Sequence, residues 1–217
     1  MTIMFLPEHR RFHMPSQSDR RKQTRHAALQ AASTLIAERG YAACSIAGIA
    51  NHTDFTTGAI QHHFKNKDEL LAAIITEYLF ENVDQDLPAA VHQQSVNHRC
   101  RYLVETMWRY YGHKDYAVAW EIILNNRSNQ SLSQLIDDFF LEAEQRAGQL
   151  VQSAFSDLSI TDQQAKELLL FTSAQLRGIS LARFYVGSAA NESAQLNYLI
   201  ELLTGKLLAL SNAVGEV

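Results

Sequence analysis

The chain predicts an all-α protein, and three observations predict it. Its 217 residues include only three prolines and nine glycines, which leaves room for long uninterrupted helices. Alternating runs of Val, Ile and Thr, the mark of strands, are missing. Apolar residues instead recur at helical spacing along most of the length. Hydrophobic residues make up 47% and charged residues 19%, a globular balance that excludes wholesale disorder.

Residues 1–17 read as a flexible basic arm containing Arg10 and Arg11, with Met14 a candidate start. From Ser18 to Arg39 the spacing predicts a helix with Ala28, Leu29, Ala32, Leu35 and Ile36 on its buried face. Arg20, Arg21, Lys22 and Arg25 load its first turns, and Gly40 ends it. Ser45 caps a short helix with Ile46, Ile49 and Ala50 inside, and Asn51–Asp54 reads as a turn. Thr56 or Thr57 then caps a second short helix whose Ala59, Ile60 and Phe64 face inward. Lys65, Asn66 and Lys67 break it, and Asp68 is expected to cap a longer helix to about Asp86. Pro88 marks a junction. Five further helices are expected at about 89–111, 114–126, 131–155, 162–187 and 191–212, separated by Gly and polar runs.

Charge divides along the chain. Residues 1–70 carry nine Lys or Arg against six Asp or Glu, a balance of +3, while residues 71–217 balance at −7. Six of the nine histidines also lie in the first seventy residues. A basic head on an acidic body is the expected consequence, despite a net charge of −4. The organisation that follows is an arm at 1–17, a binding head at 18–68 and a helical body at 69–217.

Two short helices joined by a tight turn over a small apolar interior form a helix-turn-helix pattern. Its second helix must leave an outer face free for the major groove, where all four base pairs are distinguishable. Thr57, Gln61 and His62 occupy that face, and Gly58 and Ala59 allow close approach at the helix start. The sequence here resembles the tetracycline-repressor (TetR) family of transcriptional regulators. The match runs through Ser45-Ile46-Ala47-Gly48-Ile49-Ala50, then Thr56-Thr57-Gly58-Ala59-Ile60-Gln61-His62-His63-Phe64, then Lys65-Asn66-Lys67-Asp68-Glu69-Leu70-Leu71. Gly40, Tyr41 and the helix before them complete it, so the resemblance covers roughly residues 18–75 in detail.

The resemblance implies an N-terminal DNA-binding domain followed by a larger helical bundle for ligand binding and dimerisation. It places Thr57 and His62 at base-reading or adjacent backbone positions, and Ser45, His63 and Lys67 at phosphate-holding positions. With Arg25, Thr56, Gly58 and Gln61 these complete the DNA-binding set. Asp54 stands where the family commonly has Gly; Asp tolerates the left-handed conformation that such a turn asks for. Gln61 stands where the family commonly has Tyr, and an amide there can bond an adenine edge.

In the body, Ala174, Gly178 and Ala182 form a small-residue ridge suited to close helix packing. Leu196, Leu199, Ile200, Leu203, Leu207 and Leu210 give the last helix a stripe wide enough for its own body and a twofold mate, or for an ordinary core alone. Trp108, Tyr110, Tyr111, Tyr116 and Trp120 cluster with Arg109, His113, Glu121 and Asn125, open to reading as core or as a pocket wall. Of these, Trp108, Tyr111 and Trp120 are the candidate ligand-binding residues, for an unknown small-molecule effector. Double-stranded DNA with a near-palindromic operator and a second copy of the chain are the other expected partners.

No cofactor is implied. His62 and His63, adjacent on a helix, do not face one another, so no metal site is read from them. Neither a Gly-rich phosphate loop nor a G-x-S-x-G turn occurs, which argues against an enzyme. No run of about 18 apolar residues occurs, so no membrane span is expected. Residues 1–14 carry their charges on the wrong side of an apolar run for a secretory signal. Cys44 and Cys100 read as reduced, buried thiols, and the expected location is cytoplasmic. The competing reading keeps DNA binding but makes the body a docking site for a protein partner, as in an architectural or cell-cycle factor.

Overall fold

The computed structural model describes residues 16–78, 91–187 and 191–214. The arm with Arg10 and Arg11, the candidate start Met14 and the Pro88 junction lie outside the described residues. Among the described residues there is no strand. Helix α1 runs Gln17–Arg39, and Gly40, at φ 81°, turns the chain into a 3-10 turn at Tyr41–Ala43. The short helices α2 (Ile46–Ala50) and α3 (Thr57–His63) follow, then α4 (Lys67–Ala73), which widens into a π turn at Ile74–Tyr78. The body is built from α5 (Val96–Tyr111), α6 (Lys114–Asn125), α7 (Gln130–Ala154), α8 (Asp162–Val186) and α9 (Glu192–Val214).

Local chemistry explains where these helices start. The first backbone N–H groups of a helix have no intrahelical acceptor, and a side-chain oxygen just before them supplies one. Ser16 and Asp19 form a reciprocal capping box on α1, with the Asp19 N–H 3.1 Å from Ser16 Oγ. Ser45, Thr56, Asn66, Ser95, Asn129 and Thr161 cap the starts of α2, α3, α4, α5, α7 and α8 in the same way.

Three expectations are corrected by this geometry. Asn66, not Asp68, caps α4, accepting the Glu69 N–H at 2.8 Å, while Asp68 accepts an N–H of the Asn129 amide at 3.1 Å. The helix expected from about residue 89 starts at Val96 instead, because Ser95 caps it after a separate 3-10 turn at Val91–Gln93. Asp54 does not take a left-handed conformation. Thr53 closes the α2–α3 turn by donating its hydroxyl to the Ile49 carbonyl at 3.2 Å. Of the stripe on α9, Leu199, Ile200, Leu203 and Leu207 are buried in the chain's own body and Leu196 and Leu210 half-buried, while Tyr198, Leu202 and Leu208 lie on its outer face.

The interior forms two apolar clusters. One gathers Leu29, Leu35 and Ile36 of α1 with Ile49, Ile60, Phe64, Leu70 and Ile75. It continues past residue 68 into Val118, Ala119 and Ile122 of α6 and Leu132 and Ile136 of α7. The other is made by α5, α7, α8 and α9 around Val104, Phe155, Leu176, Ile200 and Leu203. Arg99 is buried in this second region; its Nη1 donates to the Ala154 carbonyl at 3.0 Å and pairs with Asp157. That pairing holds the Asp157 carboxyl below the usual carboxylate range.

Ile60 is fully buried in the first cluster, whereas its neighbour Gln61 is exposed. Ile60→Ala should therefore lower the unfolding free energy by about 2–5 kcal/mol in chemical denaturation. Gln61→Ala should move it by less than about 0.5 kcal/mol. Equal losses from the two variants would contradict this packing.

Candidate functional site

The outer surface of α2 and α3 is polar because every large apolar residue of α3 is spent on the core. Ile60 is buried, as is Phe64 just beyond the helix end, while Thr57, Gly58, Gln61 and His62 are exposed. Ser45 and Thr56 are exposed at the two helix starts. Each hydroxyl oxygen accepts a cap bond, from Gly48 N–H at 3.0 Å and Ala59 N–H at 3.2 Å, which leaves its own hydrogen free to donate outward. A Cβ added at Gly58 would come no nearer than 4.0 Å to another part of the chain. The fold does not demand glycine there; its smallness is offered to whatever approaches. Gly48 is different, since a Cβ would lie 3.0 Å from the Ala43 carbonyl and 3.3 Å from Leu35. It sets how closely α2 packs on α1, a role that spacing alone does not reveal.

His63 is half-buried, edge-on to His62 with ring centroids 5.6 Å apart. Burial holds its imidazole below the ordinary value, and the positive neighbours His62, Arg21 and Arg25 add to this. It is therefore neutral at pH 7 in the free protein and acts there as a hydrogen-bonding group, not a cation.

The two remaining cations of the expected DNA set have inward partners. The Arg25 guanidinium lies 4.7 Å from the Phe64 ring centroid and pairs with Glu77 in the π turn. It ties α1 to the end of α4. Lys67 places its ammonium 4.0 Å from the centre of the Tyr41 ring. Tyr41 is itself anchored in the body: its N–H donates to Glu121 at 2.6 Å and its hydroxyl to Asn126 at 2.9 Å. Ser33 of α1 completes the junction, donating to the buried Asp115 of α6 at 3.0 Å.

On its other side α6 borders a cavity of about 690 Å³ between α5, α6, α7 and α8. Tyr111 and Trp120 line it, together with Tyr110 and Tyr116. The rings meet edge to face, Tyr110 and Tyr111 with centroids 4.7 Å apart and Tyr116 and Trp120 at 6.3 Å. Trp108, the third candidate, is not among the lining residues. It packs with the second apolar cluster and lies under the Arg183 guanidinium at 5.2 Å. Arg177 of α8 enters the wall instead, its Nε donating to the Tyr116 hydroxyl at 3.2 Å and its guanidinium 5.1 Å from the Trp120 centroid. Sixty-one residues separate Arg177 from Tyr116, so no local pattern connects them. Burial pushes the Tyr110 and Tyr116 phenols up, which keeps both protonated.

No cluster of three or more His, Cys, Asp or Glu with metal-holding geometry occurs among the described residues. No described helix is long and apolar enough to cross a membrane.

Comparison with known proteins places these features in context. Residues 28–74, which hold the second half of α1 and all of α2, α3 and α4, match the family of bacterial regulatory proteins described as tetR. The transcriptional regulator HbdR of Aromatoleum sp. (strain CIB) is 26% identical over 133 residues, 61% of this chain and 56% of that relative. This chain thus spans little more than half of that relative's length. Two solved structures share the fold over more of the chain. A transcriptional regulator from Saccharomonospora viridis in complex with choline aligns with a TM-score of 0.64 at 22% identity, over 84% of this chain and 96% of its own. FadR from Bacillus subtilis in complex with stearoyl-CoA aligns with a TM-score of 0.66 at 17% identity, over 82% and 97%. Residues 28–74 are thus similar to the bacterial regulatory proteins of the tetR family, and the solved structures show that the chain shares their all-helical fold.

Proposed function

We propose that the chain is a homodimeric transcriptional repressor of a near-palindromic operator, released by a small molecule bound between α5, α6, α7 and α8. The observation that carries this reading is the division of α3. Its apolar residues are spent on the core, and Thr57, Gln61 and His62 are left exposed on one polar face. In this reading those three side chains meet base edges. Ser45, Thr56 and His63 meet backbone phosphate, Gly58 admits close approach and Lys67 adds positive charge beside them. Arg25, paired with Glu77, ties the head to the start of the body instead of reaching DNA. The head spans residues 18–68, the effector and dimer domain residues 69–217, and the regulator works in the cytoplasm.

The outer faces of α8 and α9 support the dimer. Ala174 and Gly178 are exposed, and a Cβ at Gly178 would meet nothing within 4 Å. Phe171 at 44% exposure on α8, and Leu202 at 51% and Tyr198 at 67% on α9, add apolar surface that is uncovered among the described residues. A twofold mate on this face would hold two copies of α3 about 34–36 Å apart, one turn of duplex, or a longer multiple.

The coupling runs through α6. Tyr116 and Trp120 border the cavity on the same helix whose Asp115, Glu121 and following Asn126 hold Ser33 and Tyr41 of the head. A ligand that favours one setting of α6 favours one spacing of the recognition helices, and the operator favours the other.

Two measurements test this reading. After operator selection with the full chain, replacing Thr57, Gln61 and His62 together by Ala should abolish specific binding and leave salt-dependent nonspecific binding. Unchanged specific affinity would overturn it. Glu121→Ala should leave cavity binding intact while reducing ligand-driven operator release by about five-fold or more, the scale of one typical coupling free energy. Release at the unaltered ligand concentration would remove α6 from the pathway.

A further inference from the structure

The fold does not choose the ligand's charge; the side chains in the cavity do. Its body is apolar and aromatic, with Met107, Trp120, Ile123, Leu150 and Leu169 among its walls. Three lining residues are charged: Glu144, Arg146 and Arg177. Glu144 lies 3.5 Å from Lys166, and Arg146 is paired with Glu142, so both spend their charge on the protein. Arg177 does not. Its polar neighbours are the hydroxyl of Tyr116 and the phenol of Tyr111, and no carboxylate among the described residues lies within ion-pair distance.

The Arg177 side chain is exposed at the edge of this apolar cavity. With no carboxylate among the described residues taking its hydrogen bonds, it is available to a ligand anion that enters beside the aromatic wall. The same arrangement disfavours a cationic guest. An aromatic cage for an ammonium needs open ring faces. Here the guanidinium already lies over Trp120, and the tyrosines turn edges and faces on one another. An ammonium drawn to these rings would meet the positive charge of Arg177, which already occupies the Trp120 face. A planar guanidinium fits a carboxylate with two parallel hydrogen bonds, which an alcohol cannot reproduce.

Building on the effector-cavity reading above, we infer that the ligand is an amphiphilic carboxylate. Its acid group pairs with Arg177 beside Tyr116, and its apolar body lies along Met107, Trp120, Ile123 and Leu150. Arg177 is then the residue that sets ligand class, and the aromatic wall sets body shape.

The test is calorimetric titration of the full chain at pH 8 with decanoate, 1-decanol and decyltrimethylammonium, each below its aggregation concentration. Decanoate should bind about ten-fold or more tightly than decanol, the scale of one charge-assisted hydrogen-bonded pair, with the ammonium weakest. Arg177→Gln should erase the decanoate advantage and leave decanol affinity unchanged, which separates lost pairing from a collapsed cavity. Arg177→Lys should restore part of the advantage. Measurable decanol binding with no preference for decanoate, or a preference for the ammonium, would overturn the carboxylate assignment while the effector cavity stands. No binding by any of the three would overturn both.

Discussion

The position of α6 is the constraint on which the rest of the molecule depends. Helices of the body and of the head must each bury an apolar stripe, and α6 buries two. Val118, Ala119 and Ile122 enter the cluster that contains Leu35, Ile49 and Ile60, while Trp120 and Ile123 border the cavity. A helix shared in this way cannot shift for one neighbour without changing its packing on the other, because close-packed interiors have discrete arrangements. The hydrogen bonds from Ser33 and Tyr41 to Asp115, Glu121 and Asn126 add directional contacts to that shared surface.

Among the described residues, the cations that stack on an aromatic ring follow a common rule with two exceptions. Arg25, Arg99 and Arg183 each stack on an aromatic ring, and each also has a carboxylate partner in Glu77, Asp157 or Glu192. In these pairs the ring covers the apolar face of the guanidinium and the carboxylate takes its hydrogen bonds. Lys67 and Arg177 stack on Tyr41 and Trp120 without a carboxylate within ion-pair distance among the described residues. One of the two stands beside α2 and α3, and the other faces the cavity. The two ring-stacked cations without a carboxylate partner thus stand where an anionic partner is proposed.

This distribution also explains how a chain of net charge −4 could present the surface to DNA proposed for it. Electrostatic attraction at a docking face depends on the charges within about a Debye length, roughly 10 Å at moderate salt. Arg20, Arg21 and Lys22 on the first turns of α1 are exposed, and the acidic excess is carried by the chain beyond residue 70. Burial first, and then the positive neighbours His62, Arg21 and Arg25, hold the His63 imidazole below its ordinary value on this surface.

Helix identity was legible in the sequence because it depends on neighbours a few residues apart. Ser45 and Thr56 cap the helices they were expected to cap, Gly40 ends α1, and Ile49, Ile60 and Phe64 are buried on the faces their spacing predicts. Partnership was not legible, because it joins residues far apart in the chain. Arg25 finds Glu77 across 52 positions, Tyr41 finds Glu121 across 80, and Arg177 finds Tyr116 across 61. Trp108 and Trp120 look alike in an aromatic run, yet only Trp120 lines the cavity, since the two sit on different helices facing different clusters. The helix-turn-helix could therefore be read from the order of residues alone, through propensity, capping and periodicity. Which charges remain free within it and within the cavity was decided only when distant helices packed and consumed the rest.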